Sequence, residues 1–326
     1  MSIVKHLLTL GLPAKLRYKF KPLAGLPKLL PLNIDESTHG VLEASVVVED
    51  DGSVKIYFTK CMGDTTNAIC MATAASVDGE WTVNPTPIIG LGAGGAPADR
   101  QAHSSYVFKA NGFYYCTATN GYGFGSPGED RCLYLYKSVD GITFTDMGKL
   151  IDKSAIPGSS GFGNSCVEPI LINGKYEMLL EGNGGGVWNV HRFNSDNIES
   201  GWTHVNALPG LQVVAGAMYG GTDLFYKNGL WYIFYHYGAA EGNLPTLLGF
   251  ATSTDLVSIT KKETPLFGIE AKPYGDATDQ IADPFIIENN GKVFLLAEYV
   301  TNSPVVKSEI WIWEFNGTLN QLFANI

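Results

Sequence analysis

The sequence predicts an all-β fold, a five-bladed β-propeller with four-stranded antiparallel blades. Three observations predict it. One motif recurs five times: an apolar run, a polar turn ending in Gly, then a second run rich in aromatic and aliphatic residues, which is a β-hairpin signature. The turn glycines Gly52, Gly112, Gly174, Gly229 and Gly291 stand 60, 62, 55 and 62 residues apart, and a strand-built unit repeated at that size is how a propeller blade appears in sequence. Helical periodicity is absent over most of the 326 residues, while the 38 glycines suit a turn-rich all-β chain.

Each hairpin is followed by a third strand, a Ser/Asp/Gly turn and often a fourth strand. Blade 1 takes residues 44–59 and 68–83, blade 2 takes 104–118 and 132–148, and blade 3 takes 168–180 and 187–206. Blade 4 takes 222–235 and 247–261, and blade 5 takes 283–297 and 307–320. Asp-Gly at 78–79 and 140–141 are turn residues, since both types tolerate positive φ. The stretch from about Lys262 to Ile281 is a long loop that could lie over the funnel. A ring cannot be cut without exposing blade faces, so residues 33–326 form a single propeller domain.

Residues 1–32 form a basic N-terminal arm rich in Leu and Pro. Its apolar stretch is short, no small-residue cleavage pattern follows, and Lys15, Arg17, Lys19, Lys21 and Lys28 continue the basic character. That is no clear signal peptide and too short for a membrane span, so a soluble chain is expected. The arm is expected to pack outside the ring or to contact a protein partner. The net charge of −10 argues against nucleic acid, which needs a basic surface. There is no P-loop and no dinucleotide fingerprint to support a nucleotide cofactor. The five cysteines include no CxxC pair, which argues against a cysteine-built zinc site. Cys61/Cys70 and Cys116/Cys132 could each face one another across a strand pair; the alternative is small buried hydrophobes.

In a propeller the innermost strand begins, and the second strand ends, on one face. The strand starts carry Glu43, His103, Glu168, Asp223 and Asp283, and the second-strand ends carry Lys60, Asn120, Glu181, His236 and Glu298. Several carboxylates around one narrow funnel suit glycoside hydrolysis, where one acid protonates the leaving oxygen and a second activates water or attacks the anomeric carbon. Glu168, Asp283, Asp223 and Glu43 are therefore the catalytic candidates. Glu168 and Asp283 are the sharpest pair, because each precedes Pro at its hairpin start; the competing reading is that an acid before Pro caps a turn. Glu43 stands further from its turn glycine than the others, and a bulge or longer turn would bring it into line. Arg100, His103, Trp188, Glu181, His236 and Glu298 are candidates for gripping substrate. Tyr122, Phe124, Tyr219 and Tyr237 lie near the same face and could stack on sugar rings. No cofactor is required by this chemistry. The oxygen-rich funnel would suit a hard ion such as calcium better than zinc.

The repeated pattern resembles the five-bladed propeller glycosidases, families 43 and 32 and their relatives. Residues 102–123 and 133–148 resemble the second blade of family 43 enzymes, and Glu168-Pro and Asp283-Pro resemble the acidic-Pro motifs of that group. Residues 276–300 also resemble the propeller domain fused to some sugar-transferring enzymes that act on inositol lipids. The resemblance covers roughly residues 40–315 and implies a glycoside hydrolase with three carboxylates: a base or nucleophile, an acid, and a third that orients substrate. They come from a first blade, from two blades on and from three blades on. Unpermuted, that order gives Glu43, Glu168 and Asp223. Rotated round the ring, Asp283 is the base and Glu168 the acid, but His103-Ser-Ser stands where the intermediate blade has Asp. Gly220-Gly-Thr-Asp stands where the fourth blade of the family has Glu. These departures keep two rivals open: a non-catalytic carbohydrate-binding propeller, and an assembly module docked through the arm.

Overall fold

The structure is a computed structural model that describes residues 21–22, 40–61, 67–84, 86–120, 131–184, 187–212, 217–239, 247–262, 280–301, 307–315 and 317–325. It is a five-bladed propeller of four-stranded antiparallel sheets. A short strand β1 (Lys21–Pro22) precedes the blades. Blade 1 is β2 (Val41–Val48), β3 (Val54–Cys61), β4 (Asn67–Ala74) and β5 (Thr82–Val83). Blade 2 is β6 (His103–Ala110), β7 (Phe113–Thr119), β8 (Leu133–Ser138) and β9 (Thr145–Ile151). Blade 3 is β10 (Ser159–Ile172), β11 (Lys175–Gly184), β12 (Val187–Ser195) and β13 (Thr203–Ala207). Blade 4 is β14 (Ala217–Lys227), β15 (Leu230–Ala239), β16 (Leu247–Ser253) and β17 (Thr260–Lys261). Blade 5 is β18 (Gln280–Asn289), β19 (Lys292–Thr301) and β20 (Lys307–Phe315), with β1 as its outermost strand through the pairs Lys21↔Glu314 and Pro22↔Trp313. The rest of the expected arm, and residues 263–279 of the expected loop, lie outside the described residues.

Four of the five hairpins turn on Asn-Gly. Asn111, Asn173, Asn228 and Asn290 all have φ of 52–55°, and the glycines after them are also positive. Two successive positive φ angles make the type I′ turn, whose twist matches that of the flanking strands. Blade 1 instead turns over Glu49–Ser53, held by the Glu49 N–H to Ser53 C=O bond of 2.8 Å.

The core lies between blades. Val46, Ile56 and Phe58 of blade 1 pack on Phe285, Phe294 and Ile312 of blade 5, which closes the ring through apolar contact. A short C-terminal helix α1 (Leu319–Asn325) lays Phe323 flat on Tyr232, with centroids 3.9 Å apart. Cys70, Cys116, Cys132 and Cys166 are buried free thiols, so neither the Cys61/Cys70 nor the Cys116/Cys132 pair is bridged and the reading as small buried hydrophobes holds for these four. Cys116 stands opposite Tyr136 and Cys70 opposite Phe58 in their ladders, where they serve as small apolar residues.

Every innermost strand is broken by a bulge or irregularity near its entry to the funnel, between Leu42/Ala44, His103/Tyr106, Phe162/Ser165, Gly220/Asp223 and Ala282/Phe285. In four blades the residue released from the ladder is left-handed: Glu43 (φ 50°), Ser104 (53°), Gly221 (50°) and Asp283 (50°). For a residue with a Cβ this conformation costs about 1–2 kcal/mol, which surrounding contacts must offset. Bulges re-aim side chains, and here they create equivalent seats at the top of the funnel.

Candidate active site

The seats of blades 1 and 5 hold Glu43 and Asp283, and both line a cavity of about 290 Å³ at the funnel mouth. Glu181, His236 and Glu298, each on the second strand of its blade, line it as well, together with His103, Arg131, Asn164 and Trp188. A smaller pocket of about 30 Å³ adjoins it and shares Glu43, Asn164 and Asp283.

Asp283 is the hub. Its Oδ1 accepts from Asn164 Nδ2 at 2.7 Å and lies 3.2 Å from His236 Nδ1. That ring nitrogen is also 3.2 Å from the Asp283 backbone nitrogen; with the ring protonated, the carboxylate is its partner. The neighbouring seat must be Gly221, because a Cβ there would collide with Asp283 Oδ1 and His236 Nδ1. Glu181 is fixed from two sides, accepting from Asn164 N–H at 3.2 Å through Oε2 and from Gly221 N–H through Oε1. Asn164 thus bridges Glu181 and Asp283. Glu43 accepts from Ser104 N–H (2.7 Å), Ser104 Oγ (2.9 Å) and Thr59 Oγ1 (2.9 Å), with His103 Nε2 at 3.4 Å.

The electrostatics separate these groups. Burial pushes the Asp283 carboxyl up, but the hydrogen bond and charge of His236, with the Glu298 hydrogen bond, hold it below the ordinary aspartate range. Burial pulls His236 down, and Asp283 and Glu181 together raise it above the ordinary imidazole range. Burial raises Glu298 well above the ordinary carboxylate range, and repulsion from Asp283 and Glu43 raises it further. Glu181 is pushed up to about 7 by burial, with His236 lowering it and Asp283 raising it. The cluster therefore holds an ionised Asp283 beside protonated neighbours.

The donor atoms of Glu181, His236 and Asp283 lie within 4.8 Å of one another. They offer two carboxylates and an imidazole, and His236 Nδ1 already faces Asp283.

Other sequence candidates stand elsewhere. Glu168 and Asp223 line neither pocket. Glu168 is 4% exposed and accepts from Tyr226 N–H of blade 4 at 2.7 Å and from Ile170 N–H at 3.3 Å. Asp223 is fully buried and accepts from Ile286 N–H of blade 5 (2.8 Å), Tyr106 Oη (3.0 Å) and Leu224 N–H (3.1 Å). Both carboxyls tie one blade to the next. Arg100 pairs with Asp146 and lies over the Tyr134 ring, 4.3 Å from its centroid, also outside the lining. Trp188, Glu181, His103, His236 and Glu298 do line it. Tyr219 lines the cavity too and is stacked with Tyr237 at 6.2 Å; Tyr122 and Phe124 lie outside the described residues.

Sequence reasoning missed Arg131 and Asn164. Asn164 is the sixth residue of a fourteen-residue strand whose upper part precedes the recognisable motif. Arg131 stands before β8, with its guanidinium 5.1 Å from the Trp188 ring centroid. A count back from the turn glycine carried a usable signal: Ser104, Gly221 and Asp283 are each eight residues before theirs, whereas Glu168 and Asp223 are six before theirs.

No protein-family model and no curated protein matches the sequence. Solved structures do match. A protein solved as an RGII complex superposes with TM-score 0.70 at 16% identity, covering 90% of this chain and 92% of that one. A thermostable family-43 glycoside hydrolase gives 0.64 at 12%, covering 87% and 92%. The α-L-arabinofuranosidase PaAbf62A from Podospora anserina, solved with cellotriose, gives 0.63 at 11%, covering 92% and 97%. Among the described residues no helix is long and apolar enough to cross a membrane. With TM-scores of 0.63–0.70 at such low identity, the chain shares the five-bladed propeller fold of solved structures that include family-43 and other glycosidases.

Proposed function

We propose that the chain is a glycoside hydrolase working at the funnel mouth, with Asp283 as the ionised carboxylate and Glu181 as the proton donor. The observation that carries this reading is the opposite protonation of two carboxyls facing one cavity. Environments that push two such groups apart define an acid and a base. Asp283 is held ionised by His236, while Glu181 stays protonated to about pH 7. Glu181 gives its proton to the glycosidic oxygen as the C–O bond breaks, and Asp283 stabilises or attacks the oxocarbenium-like carbon. One oxygen of each group lies within 4.8 Å of the other, a closest approach that fits the roughly 5–5.5 Å of retaining pairs better than the roughly 6.5–9.5 Å that admits a water in inverting ones. Retention of anomeric configuration, read by proton NMR of the first-formed product, is the expected outcome. Glu298 and His236 act as positioning residues that fix the Asp283 charge. The structural neighbours whose names describe glycosidases support this reading through fold.

A second reading has its own support. Only two of the four left-handed seats carry a carboxylate; Ser104 and Gly221 fill the others. A carbohydrate-binding propeller without turnover would need no more.

The test is sugar release from a broad panel of oligosaccharides and aryl glycosides, comparing wild type with Asp283→Asn and Glu181→Gln. Release by wild type that falls by two orders of magnitude or more in both variants is expected. Absence of release, with glycan binding retained, would replace the hydrolase by the binding propeller.

A further inference from the structure

On the cavity wall Glu181 has Asp283 on one side and Trp188 on the other. We infer that Trp188 is the plate on which the leaving group rides, so that the bond cleaved joins two sugars and the leaving group is itself a sugar ring. The inference rests on the reading that Glu181 gives its proton to a glycosidic oxygen.

Two consecutive residues set the order along the wall. The irregularity of β10 between Phe162 and Ser165 releases Gly163 and Asn164 from the ladder. Asn164 reaches Asp283 Oδ1 through Nδ2 at 2.7 Å and Glu181 Oε2 through its N–H at 3.2 Å. Gly163 backs onto both Glu181 and Trp188: an added Cβ would collide with Glu181 Oε2 and come within 3.3 Å of Trp188 Cζ3. The missing side chain therefore lets the carboxyl and the indole sit side by side. The ladder agrees, since Trp188 pairs with Asn183, two residues on from Glu181, and residues two apart on a strand share a face.

Chemistry gives this order a direction. A proton donor must lie within reach of the oxygen that leaves, and the group carried by that oxygen continues past the donor. The sugar whose anomeric carbon meets Asp283 lies on the Asp283 side; past Glu181 the wall offers Trp188. An indole is a broad apolar plate with a preferred stacking geometry, which suits the C–H face of a sugar ring and gives a small alcohol little to rest on. The Arg131 guanidinium takes one face of the ring, 5.1 Å from its centroid, so a sugar takes the other. Tyr219 also lines the cavity, but its ring is stacked on Tyr237 and its hydroxyl accepts from Lys261 Nζ at 3.1 Å.

The test compares glycosyl fluorides with disaccharides that carry the same sugar at the non-reducing end, because a fluoride leaves with no ring behind it. The set covers both anomers of D-glucose, D-galactose, D-mannose, D-xylose and L-arabinose. For whichever sugar is turned over, Trp188→Ala should lower the disaccharide-to-fluoride ratio of kcat/KM by about tenfold or more. The loss should fall mostly on KM, since stacking holds ground state and transition state alike. Trp188→Phe should restore part of the ratio, and thermal unfolding of both variants checks that the fold is kept. An unchanged ratio in Trp188→Ala would place the ring under the other sugar or in the packing alone. That result, or fluoride turnover with no disaccharide cleaved, would overturn the inference while leaving a hydrolase standing. Failure of every fluoride and every disaccharide to react would overturn both it and the functional reading beneath it.

Discussion

Two groups of buried carboxyls in this ring have similar electrostatics and different surroundings. Glu168 and Asp223 are each raised to about 7, chiefly by burial, and so is Glu181. Yet Glu168 and Asp223 accept backbone N–H groups from the next blade, whereas Glu181 and Asp283 face an open cavity and share partners with His236 and Asn164. A raised carboxyl therefore marks burial before it marks chemistry. What distinguishes the two groups is access to the cavity, and an oppositely shifted neighbour within reach.

The sharpest break of this comparison is mutational. Asp283→Asn and Glu181→Gln should lower turnover by about 10²–10⁴-fold, the usual range for a general acid or base, with thermal unfolding near wild type. Glu168→Gln should do the reverse. It strands one of two buried N–H donors, which costs about 1–3 kcal/mol, so the unfolding temperature falls by several degrees while turnover per folded molecule stays within a few-fold. Equal turnover losses at Glu168 and Asp283 would dissolve the distinction.

The next effect is in the pH–rate profile. Glu181 must hold its proton, so kcat should fall about tenfold per pH unit above about 7. If Asp283 has the proposed role, the acid limb should appear below the ordinary aspartate range. A profile flat through pH 9 would remove Glu181 from the donor role.

The blade ties act on stability with a defined sign. Asp223 and Glu168 keep their protons to about pH 7 in the folded chain, while in the unfolded chain they lose them near pH 4. Between those values the unfolded state binds fewer protons, so their contribution is complete below about pH 4 and declines as pH rises towards 7. Asp223→Asn, which has no such proton to lose, should flatten that part of a urea-midpoint-against-pH curve. A variant curve parallel to wild type would show that Asp223 is not responsible.

The smallest effect concerns the arm. Deleting residues 1–32 removes β1, whose pairing with β20 involves two residues; the unfolding temperature should drop by only a few degrees, with turnover kept. Sedimentation of the truncated chain reads the other role. A change of assembly size or loss of a co-purifying protein would make the arm a docking element.

The sequence carried the blades because Asn-Gly turns and alternating strands are local signals. It carried Asp283, Glu43, Glu181, His236 and Glu298 as funnel residues because strand ends of successive blades converge on one axis. It held no warning that Glu168 and Asp223 sit deeper. Two residues along a strand preserve the face but move a side chain by about 6–7 Å, enough to pass from the cavity into the blade interface. The bulges that set this depth depend on tertiary packing. Glu43, nine residues before its turn glycine, reaches the same kind of seat as Asp283, at eight, across a hairpin whose turn differs from the Asn-Gly form. Arg131 and Asn164 lay outside any repeated motif and had no periodic signal to reveal them.

Closure of the ring through blades 1 and 5 has a consequence in time. Val46, Ile56 and Phe58 are covered by Phe285, Phe294 and Ile312, residues that leave the ribosome more than two hundred positions later. At a synthesis rate of roughly 5–20 residues per second, one apolar blade face waits on the order of 10–50 s for its cover. During that interval the nascent chain is an unfinished arc with a sticky edge, and whatever shields that edge in the cell governs how much of the ring is ever completed.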